Sequence, residues 1–137
     1  MVGAIIATHG KLAEGLLDSI KLIMGEQSDF HVLSLCHGDD IELFREKIKE
    51  KVIEISDGDG VIIFVDLFFA SPYNQAARIY PEVKEYPYRL ITGVNLPMLV
   101  DFITLRNSDI SLDELAQHVM EAGKDGIKEF FKEISNK

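Results

Sequence analysis

The sequence has a single cysteine, Cys36, among 137 residues. A small extracellular domain more often carries several cysteines that pair, so a chain that can form no internal disulfide is typical of the reducing cytoplasm. No catalytic base stands near Cys36 in the sequence, and we interpret it as a half-buried small residue. The cysteine content therefore predicts a cytoplasmic location and no thiol chemistry.

Basic residues are also scarce, since 14 Lys and Arg stand against 23 Asp and Glu and give a formal charge of −9. Binding to DNA or RNA needs a basic surface that neutralises phosphates, so nucleic acid is excluded as a partner.

Hydrophobic residues make up 47% of the chain and charged residues 27%. These fractions are those of an ordinary folded domain and argue against disorder.

Long apolar segments are absent as well. The first apolar run covers only residues 2–7 and follows no basic residue, whereas a membrane-spanning helix needs about 20 apolar residues. The chain also lacks internal repeats, linkers and low-complexity tracts. We therefore expect residues 1–137 to form one domain that is neither exported nor membrane-spanning.

Short apolar runs alternate with amphipathic segments along the chain. Residues 2–7 and 61–65 are apolar at consecutive positions, which is typical of strands covered on both faces, and residues 30–35 and 88–92 are two further strands. Helical spacing and capping residues predict helices over about residues 10–25, from Asp39 or Asp40 to Ile55, from Ser71 as N-cap to about Tyr80, from Asn95 to about Arg106, and from Ser111 through Ile134 with an interruption near Gly123 and Gly126.

Strands that alternate with helices predict an α/β fold: a three-layer, doubly wound and mainly parallel sheet. The strand order common in such small domains is 2-1-3-4. In this order the first and third strands are neighbours, and the crevice at their carboxyl ends is where a ligand binds.

Polar residues stand at the ends of these two strands. Thr8, His9 and Gly10 end the first strand, Asp66 ends the third, and Ser71 opens the helix that follows. We expect Asp66 to face His9 and to hold one ring nitrogen, so that the other presents its lone pair as a nucleophile. Two helix N-termini, after Gly10 and at Ser71, direct amide groups to the same place, which suits a phosphoryl group.

The residue pattern alone also allows a plainer interpretation of the site. His9 would then be a satisfied histidine at a strand end, and Asp66 a turn cap. His31, His37 and His118 have no paired ligand at metal spacing. We assign them to a strand, a loop and a helix surface, and expect no metal site.

Four separated motifs carry a resemblance to a known family. They are Ile6-Ala-Thr-His9-Gly-Lys-Leu-Ala-Glu-Gly15, Phe64-Val-Asp66-Leu-Phe, Ser71-Pro-Tyr-Asn74 and Gly93-Val-Asn-Leu-Pro-Met-Leu99. In this order they cover nearly the whole chain. The sequence resembles enzyme IIA of the mannose type, the mannose, fructose and sorbose family of the bacterial phosphoenolpyruvate-dependent sugar phosphotransferase system.

The resemblance implies a phosphotransferase without a cofactor. It implies that His9 accepts a phosphoryl group on Nε2 from the histidine-containing phosphocarrier protein and passes it to a IIB domain, for uptake of a sugar through the membrane subunits IIC and IID. Asp66 would orient His9, and Thr8, Gly10 and Ser71 would support the phosphoryl group. The resemblance further implies a homodimer that exchanges an antiparallel edge strand, with residues 104–106 as the candidates.

One departure from the family pattern lies beside the site. Phe69 and Ala70 stand where the family usually has two glycines, which would give the backbone freedom to approach the phosphoryl group closely. Because of this departure, the sequence does not determine the backbone geometry of the loop after Asp66. Phe68 and Phe69 are either core residues or a docking surface for partner proteins.

Three rival functions use the same crevice. A receiver domain is phosphorylated on an aspartate where Asp66 stands, but it needs an acidic pair for magnesium where this chain has Thr8 and His9. A related phosphohistidine subunit feeds dihydroxyacetone kinase, and the motif over residues 93–99 favours the sugar-transport branch over it. Flavin binding needs a hydroxyl-rich phosphate loop, which residues 10–14 do not supply.

Overall fold

The computed structural model describes residues 1–135 and shows strands and helices in alternation. The elements are β1 (Gly3–His9), α1 (Leu12–Met24), β2 (Phe30–Leu35), α2 (Ile41–Ile55), β3 (Val61–Val65), α3 (Ser71–Arg78), a short 3-10 turn (Tyr80–Glu82), β4 (Tyr88–Ile91), α4 (Leu96–Leu105), α5 (Leu112–Asp125) and α6 (Phe130–Ser135). The four predicted strands are confirmed. Within residues 1–135, no helix has the length and apolar character needed to cross a bilayer.

The strands form one parallel sheet in the order β2-β1-β3-β4. This confirms the predicted α/β fold and the order 2-1-3-4. In the register of the sheet, His9 pairs with Leu35 of β2, and Ala7 pairs with Val65 of β3. His9 and Asp66 therefore leave the sheet side by side at its carboxyl edge.

Helices cover both faces of the sheet and make three layers. On one face, α1, α4 and α5 pack on alternate residues of the strands, including Ile6 and Phe64. On the other face, α2 and α3 pack on the remaining positions, including Ile5 and Ile63. Because both faces of β1 and β3 are buried, these strands are apolar at consecutive positions.

Side-chain caps fix where several helices begin. The Asp40 carboxylate accepts hydrogen bonds from the first-turn amides of α2, Asn95 from the Met98 amide and Ser111 from the Glu114 amide. The prediction of Ser71 as an N-cap is wrong, because α3 already includes Ser71 and its N-cap is Ala70 in an extended conformation. Within residues 1–135 the hydroxyl of Ser71, in the first turn of α3, has no hydrogen-bond partner.

One further prediction about the C-terminal half needs correction, and another is confirmed. Thr104 lies inside α4 and Arg106 caps its end, so residues 104–106 are not a strand in this chain, and the helix predicted over the same residues is confirmed. The predicted interruption of the final helix is confirmed at Gly126, because α5 ends at Asp125 and α6 begins at Phe130. The apolar side chains of this last segment, expected on one helical face, are exposed: Ile127, Phe130, Phe131 and Ile134.

Arg106 connects the segments that lead into β1 and β2 at the amino end of the sheet by hydrogen bonds. It is only 3% exposed. Its Nε donates a hydrogen bond to the Val2 carbonyl, and its Nη2 donates to the carbonyls of Ser28 and Asp29, at 2.8–3.0 Å. The guanidinium also lies over the Phe102 ring, 5.1 Å from its centroid. One side chain thus donates to three carbonyl groups at the amino end of the sheet, of which that of Asp29 also accepts the Ala4 amide.

Replacing Arg106 by methionine removes these donors while it keeps an apolar stem. We expect Arg106→Met to lower the free energy of unfolding by about 2–4 kcal/mol, because three hydrogen bonds from one charged, buried group are lost at once. Urea unfolding measures the change. The control is Arg78→Met in the exposed last turn of α3, with an expected loss below about 1 kcal/mol. Equal losses in the two variants would contradict this role for Arg106.

Candidate functional site

A hydrogen bond between His9 and Asp66 forms the centre of the site. The Nδ1 atom of His9 lies 2.8 Å from Oδ2 of Asp66, and the same oxygen accepts the His9 main-chain N–H at 2.9 Å. The imidazole is 46% exposed, whereas the carboxylate is only 11% exposed. The predicted pair is thus brought together, with the histidine facing solvent and the aspartate behind it.

The surroundings of Asp66 keep its carboxyl ionised. Burial would raise the pKa of this carboxyl, but hydrogen bonds from the His9 amide, the His9 ring and the Leu67 amide outweigh burial and hold the pKa below its ordinary value. An ionised carboxylate can only accept hydrogen bonds. Nδ1 of His9 must therefore carry the proton when His9 is neutral.

This tautomer leaves the Nε2 lone pair of His9 unprotonated. A neutral imidazole nitrogen is a good nucleophile near neutral pH. If Nε2 gains a substituent, the ring becomes positively charged, and the carboxylate of Asp66 stabilises that charge at the other nitrogen. The arrangement can therefore accept an electrophilic group on Nε2 and hold it on a charged ring.

Thr8 and Gly10, on either side of His9, are both engaged within the protein. The Thr8 hydroxyl is fully buried and accepts the Ala13 amide at 2.8 Å, which fixes the start of α1 against β1. The Gly10 amide donates to the Leu35 carbonyl at 2.8 Å, and Gly10 has a positive φ of 56°. Both residues shape the turn that presents His9; their contact with a phosphoryl group stays a prediction.

The loop from Asp66 to α3 has an unusual backbone. Phe69 has a φ of +61°, a left-handed conformation that costs a non-glycine residue about 1–2 kcal/mol. The Asn74 amide side chain donates to the Phe69 carbonyl at 3.1 Å and holds this geometry. The loop therefore keeps, with a phenylalanine, a conformation that glycine would adopt without strain.

The two phenylalanines of this loop are exposed rather than part of the core. Phe68 and Phe69 are 60% and 70% exposed, and their rings stack with centroids 4.1 Å apart. Both rings also meet Tyr73 of α3 edge to face. The structure thus decides against the core interpretation and places an aromatic cluster next to Asp66.

The loop after β2 also borders the site, which the sequence did not predict. Cys36 and His37 are exposed and line the same cavity as His9 and Gly10, with a volume of about 410 Å³. The expectation of a half-buried Cys36 is wrong, because the chain turns outward directly after Leu35. The available signal was the parallel pairing of the first two strands, which places the residues after Leu35 beside those after His9.

Fold and site together define a class of protein: a doubly wound α/β domain that presents an aspartate-oriented nucleophilic histidine at the carboxyl edge of its sheet. The family model for the mannose-type EIIA, described as the PTS system fructose IIA component, matches residues 3–120. The chain therefore belongs to the mannose-type EIIA family of the sugar phosphotransferase system. The role of this family is that of a phosphoryl carrier.

Known proteins and structures agree with this assignment. The chain is 36% identical over 127 residues to the mannose-specific EIIAB component of Escherichia coli K12; the match covers 93% of this chain and 39% of that protein. It is 31% identical over 106 residues to the fructose-specific EIIA component of Bacillus subtilis, covering 77% of this chain and 71% of that one. A crystal structure of EIIA from Streptococcus agalactiae superposes with a TM-score of 0.89 at 26% identity, covering 96% of this chain and 99% of the other.

The low pKa of Asp66 predicts how the stability of the site depends on pH. Because the folded-state pKa lies below the ordinary value, the stabilising contribution is complete above about pH 4 and is lost as the pH falls through the folded-state pKa. The difference in free energy of unfolding between the native protein and Asp66→Asn should therefore be constant from about pH 6 to about pH 4 and should shrink as the pH falls further, towards the folded-state pKa. Urea unfolding across this range measures it. A difference that is constant with pH would show that ionisation of Asp66 does not stabilise the fold.

Proposed function

We propose that His9 accepts a phosphoryl group on Nε2 from the histidine-containing phosphocarrier protein and passes it to a IIB domain. The observation that carries the proposal is the hydrogen bond from Nδ1 of His9 to Asp66, at 2.8 Å. It selects the tautomer whose free lone pair faces solvent. Membership of the mannose-type EIIA family supports the phosphoryl group as the cargo.

The proposed transfer exchanges one phosphorus–nitrogen bond for another. The Nε2 lone pair of His9 attacks the phosphorus of the donor phosphohistidine, and the donor imidazole leaves with the electron pair of the broken bond. The ring of His9 then carries the proton on Nδ1 and the phosphoryl group on Nε2, with a positive charge that Asp66 stabilises. In the second transfer a nucleophile of the IIB domain attacks the same phosphorus, and the imidazole of His9 leaves with the electron pair of the Nε2–phosphorus bond.

Thr8, Gly10 and Ser71 complete the proposed site. Thr8 and Gly10 fix the turn that presents His9, through the hydrogen bonds to Ala13 and Leu35. Ser71 lies at the start of α3 with an uncommitted hydroxyl. Helix N-termini favour anions, and we place the hydroxyl of Ser71 among the donors to the phosphoryl oxygens.

The cellular setting follows from the same proposal. A protein that exchanges phosphoryl groups with a phosphocarrier and a IIB domain works in the cytoplasm and associates with the membrane only through the IIC and IID subunits of the transporter. The chain spans 39% of the length of the mannose-specific EIIAB relative, which joins IIA and IIB in one protein. The sugar is recognised by other subunits, so the site around His9 does not select it.

Two rival functions differ in how well they fit the site. In a receiver domain the aspartate itself is phosphorylated, but both carboxylate oxygens of Asp66 are engaged by His9 and Leu67. A subunit that feeds dihydroxyacetone kinase would use the same phosphohistidine. Neighbouring genes separate that pathway from sugar transport, since reading frames for IIB, IIC and IID predict transport and kinase subunits predict the other.

Phosphorylation in vitro tests the proposal. We expect the protein to take up label from phosphoenolpyruvate in the presence of enzyme I and the phosphocarrier, with acid-labile and alkali-stable chemistry. His9→Ala should remove the label. Asp66→Asn should fold but slow the transfer by about 10-fold to 100-fold, the value of a hydrogen bond to a charged group.

The outcome that contradicts the proposal is equally specific. Alkali-labile label that persists in His9→Ala would identify an acyl phosphate on a carboxyl group instead of a phosphohistidine. Unchanged transfer kinetics in Asp66→Asn would remove Asp66 from the mechanism. His118→Ala, on the exposed face of α5, is the matched histidine control and should transfer at the native rate.

We also propose a homodimer, in which the C-terminal segment of one protomer covers the free edge of β4 in its partner. Ile127 and Phe131 are 77% and 68% exposed, and a largely apolar cavity of about 420 Å³ lies along Leu90 and Ile91 of β4. Apolar surface of this kind marks an interaction site. In this proposal the exchanged segment is the C-terminal one, with Ile127 and Phe131, and no longer residues 104–106.

The oligomeric state tests this arrangement. We expect Phe131→Asp to produce a monomer, because a carboxylate cannot enter an apolar interface without a partner. Sedimentation equilibrium measures the mass, with Leu22→Asp as the control at an 89% exposed position on α1. A monomeric native protein, or a Phe131→Asp dimer of native affinity, would overturn the proposal.

A further inference from the structure

A second histidine faces the cavity beside His9. The cavity is lined by residues 9–10 and 35–39 and by Ile41, and has a volume of about 410 Å³. His9 lines it from the β1 side, and His37 lines it from the β2 side. The mechanism described above does not use His37.

The loop that carries His37 is fixed by hydrogen bonds of its own. The Cys36 amide donates to Oδ2 of Asp39 at 2.7 Å, and the Asp39 amide donates to the Cys36 carbonyl at 3.1 Å. Gly38 supplies the positive φ, 86°, that closes the turn. The position of His37 is therefore set by the backbone, two residues after Leu35, the register partner of His9.

Donors for a phosphoryl group are scarce on this side of His9. The Gly10 amide already donates to the Leu35 carbonyl. Asp39 is an acceptor, and its neighbour Asp40, which caps α2, adds a second negative charge. Among the side chains that line the cavity, the imidazole of His37 is the strong hydrogen-bond donor, since the Cys36 thiol donates only weakly.

We propose that His37 is a further phosphoryl-binding residue: its imidazole donates an N–H hydrogen bond to an oxygen of the phosphoryl group on Nε2 of His9. This inference rests on the proposed function. It assigns to the β2–α2 loop the task of stabilising the phosphorylated state, while Asp66 stabilises the charged ring from the opposite side. Hydrogen bonds to a charged group are worth more than neutral ones.

The test compares His37→Ala and His37→Gln with the native protein. At equilibrium with the phosphorylated carrier, the transfer constant towards His9 should fall about tenfold in His37→Ala, the loss expected for one hydrogen bond to a charged group. His37→Gln keeps an N–H donor and should therefore show a smaller fall in the transfer constant than His37→Ala. The phosphorus NMR resonance of the phosphorylated protein should shift in His37→Ala, because a donor to the phosphoryl oxygen is lost.

Controls separate this inference from a structural effect and from the proposed function. Thermal unfolding of His37→Ala should match the native protein, because the exposed imidazole makes no contact that the loop needs. His118→Ala should leave both the transfer constant and the phosphorus resonance unchanged. A native transfer constant and resonance in His37→Ala overturn the inference alone, whereas absence of label on His9 in the native protein overturns the proposed function with it.

Discussion

The hydrogen bond between Nδ1 of His9 and the Asp66 carboxylate is the interaction on which the site depends. It places a proton on the inner nitrogen and so leaves a lone pair on the outer one. The bond works because Asp66 is largely buried yet receives three N–H donors that keep it ionised. Desolvation alone would favour the neutral acid, which could donate a hydrogen bond and would not define the tautomer.

The parallel sheet makes this geometry available. β1 and β3 are central neighbours and end at the same edge, so His9 as the last residue of β1 and Asp66 as the first residue after β3 come into contact. The Gly93 amide donates to the Asp66 carbonyl at 3.1 Å and joins β4 to the same edge. At the opposite edge Arg106 satisfies carbonyls that face no strand. The His9–Asp66 pair thus lies at the carboxyl end of the sheet, and the stabilising contacts of Arg106 lie at the amino end.

Much of this arrangement could be predicted from the sequence, because the patterns involved are local. Consecutive apolar residues identified β1 and β3, and Asp40, Asn95 and Ser111 marked helix starts by their capping chemistry. The facing of His9 and Asp66 followed from strand order alone. The family assignment came from motifs spread over the chain, and the family match over residues 3–120 confirms it.

The features that escaped prediction depend on contacts between distant segments. The helix after Asp66 begins one residue earlier than its serine suggested, because the Asn74 side chain and the left-handed Phe69 fix the loop. Phe130 and Phe131 belong to the apolar spacing of a core helix, yet they remain 67% and 68% exposed. His37 has no local signal at all, since only the pairing of β2 with β1 brings it to the site.

The central proposal is that Asp66 leaves Nε2 of His9 as the nitrogen that carries the phosphoryl group. Nitrogen NMR of the phosphorylated protein with labelled histidine tests it directly, through the coupling between phosphorus and the ring nitrogens. We expect Nε2 of His9 to couple to phosphorus and Nδ1 of His9 to carry a proton. Phosphorus coupled to Nδ1, or to no nitrogen of His9, would contradict it.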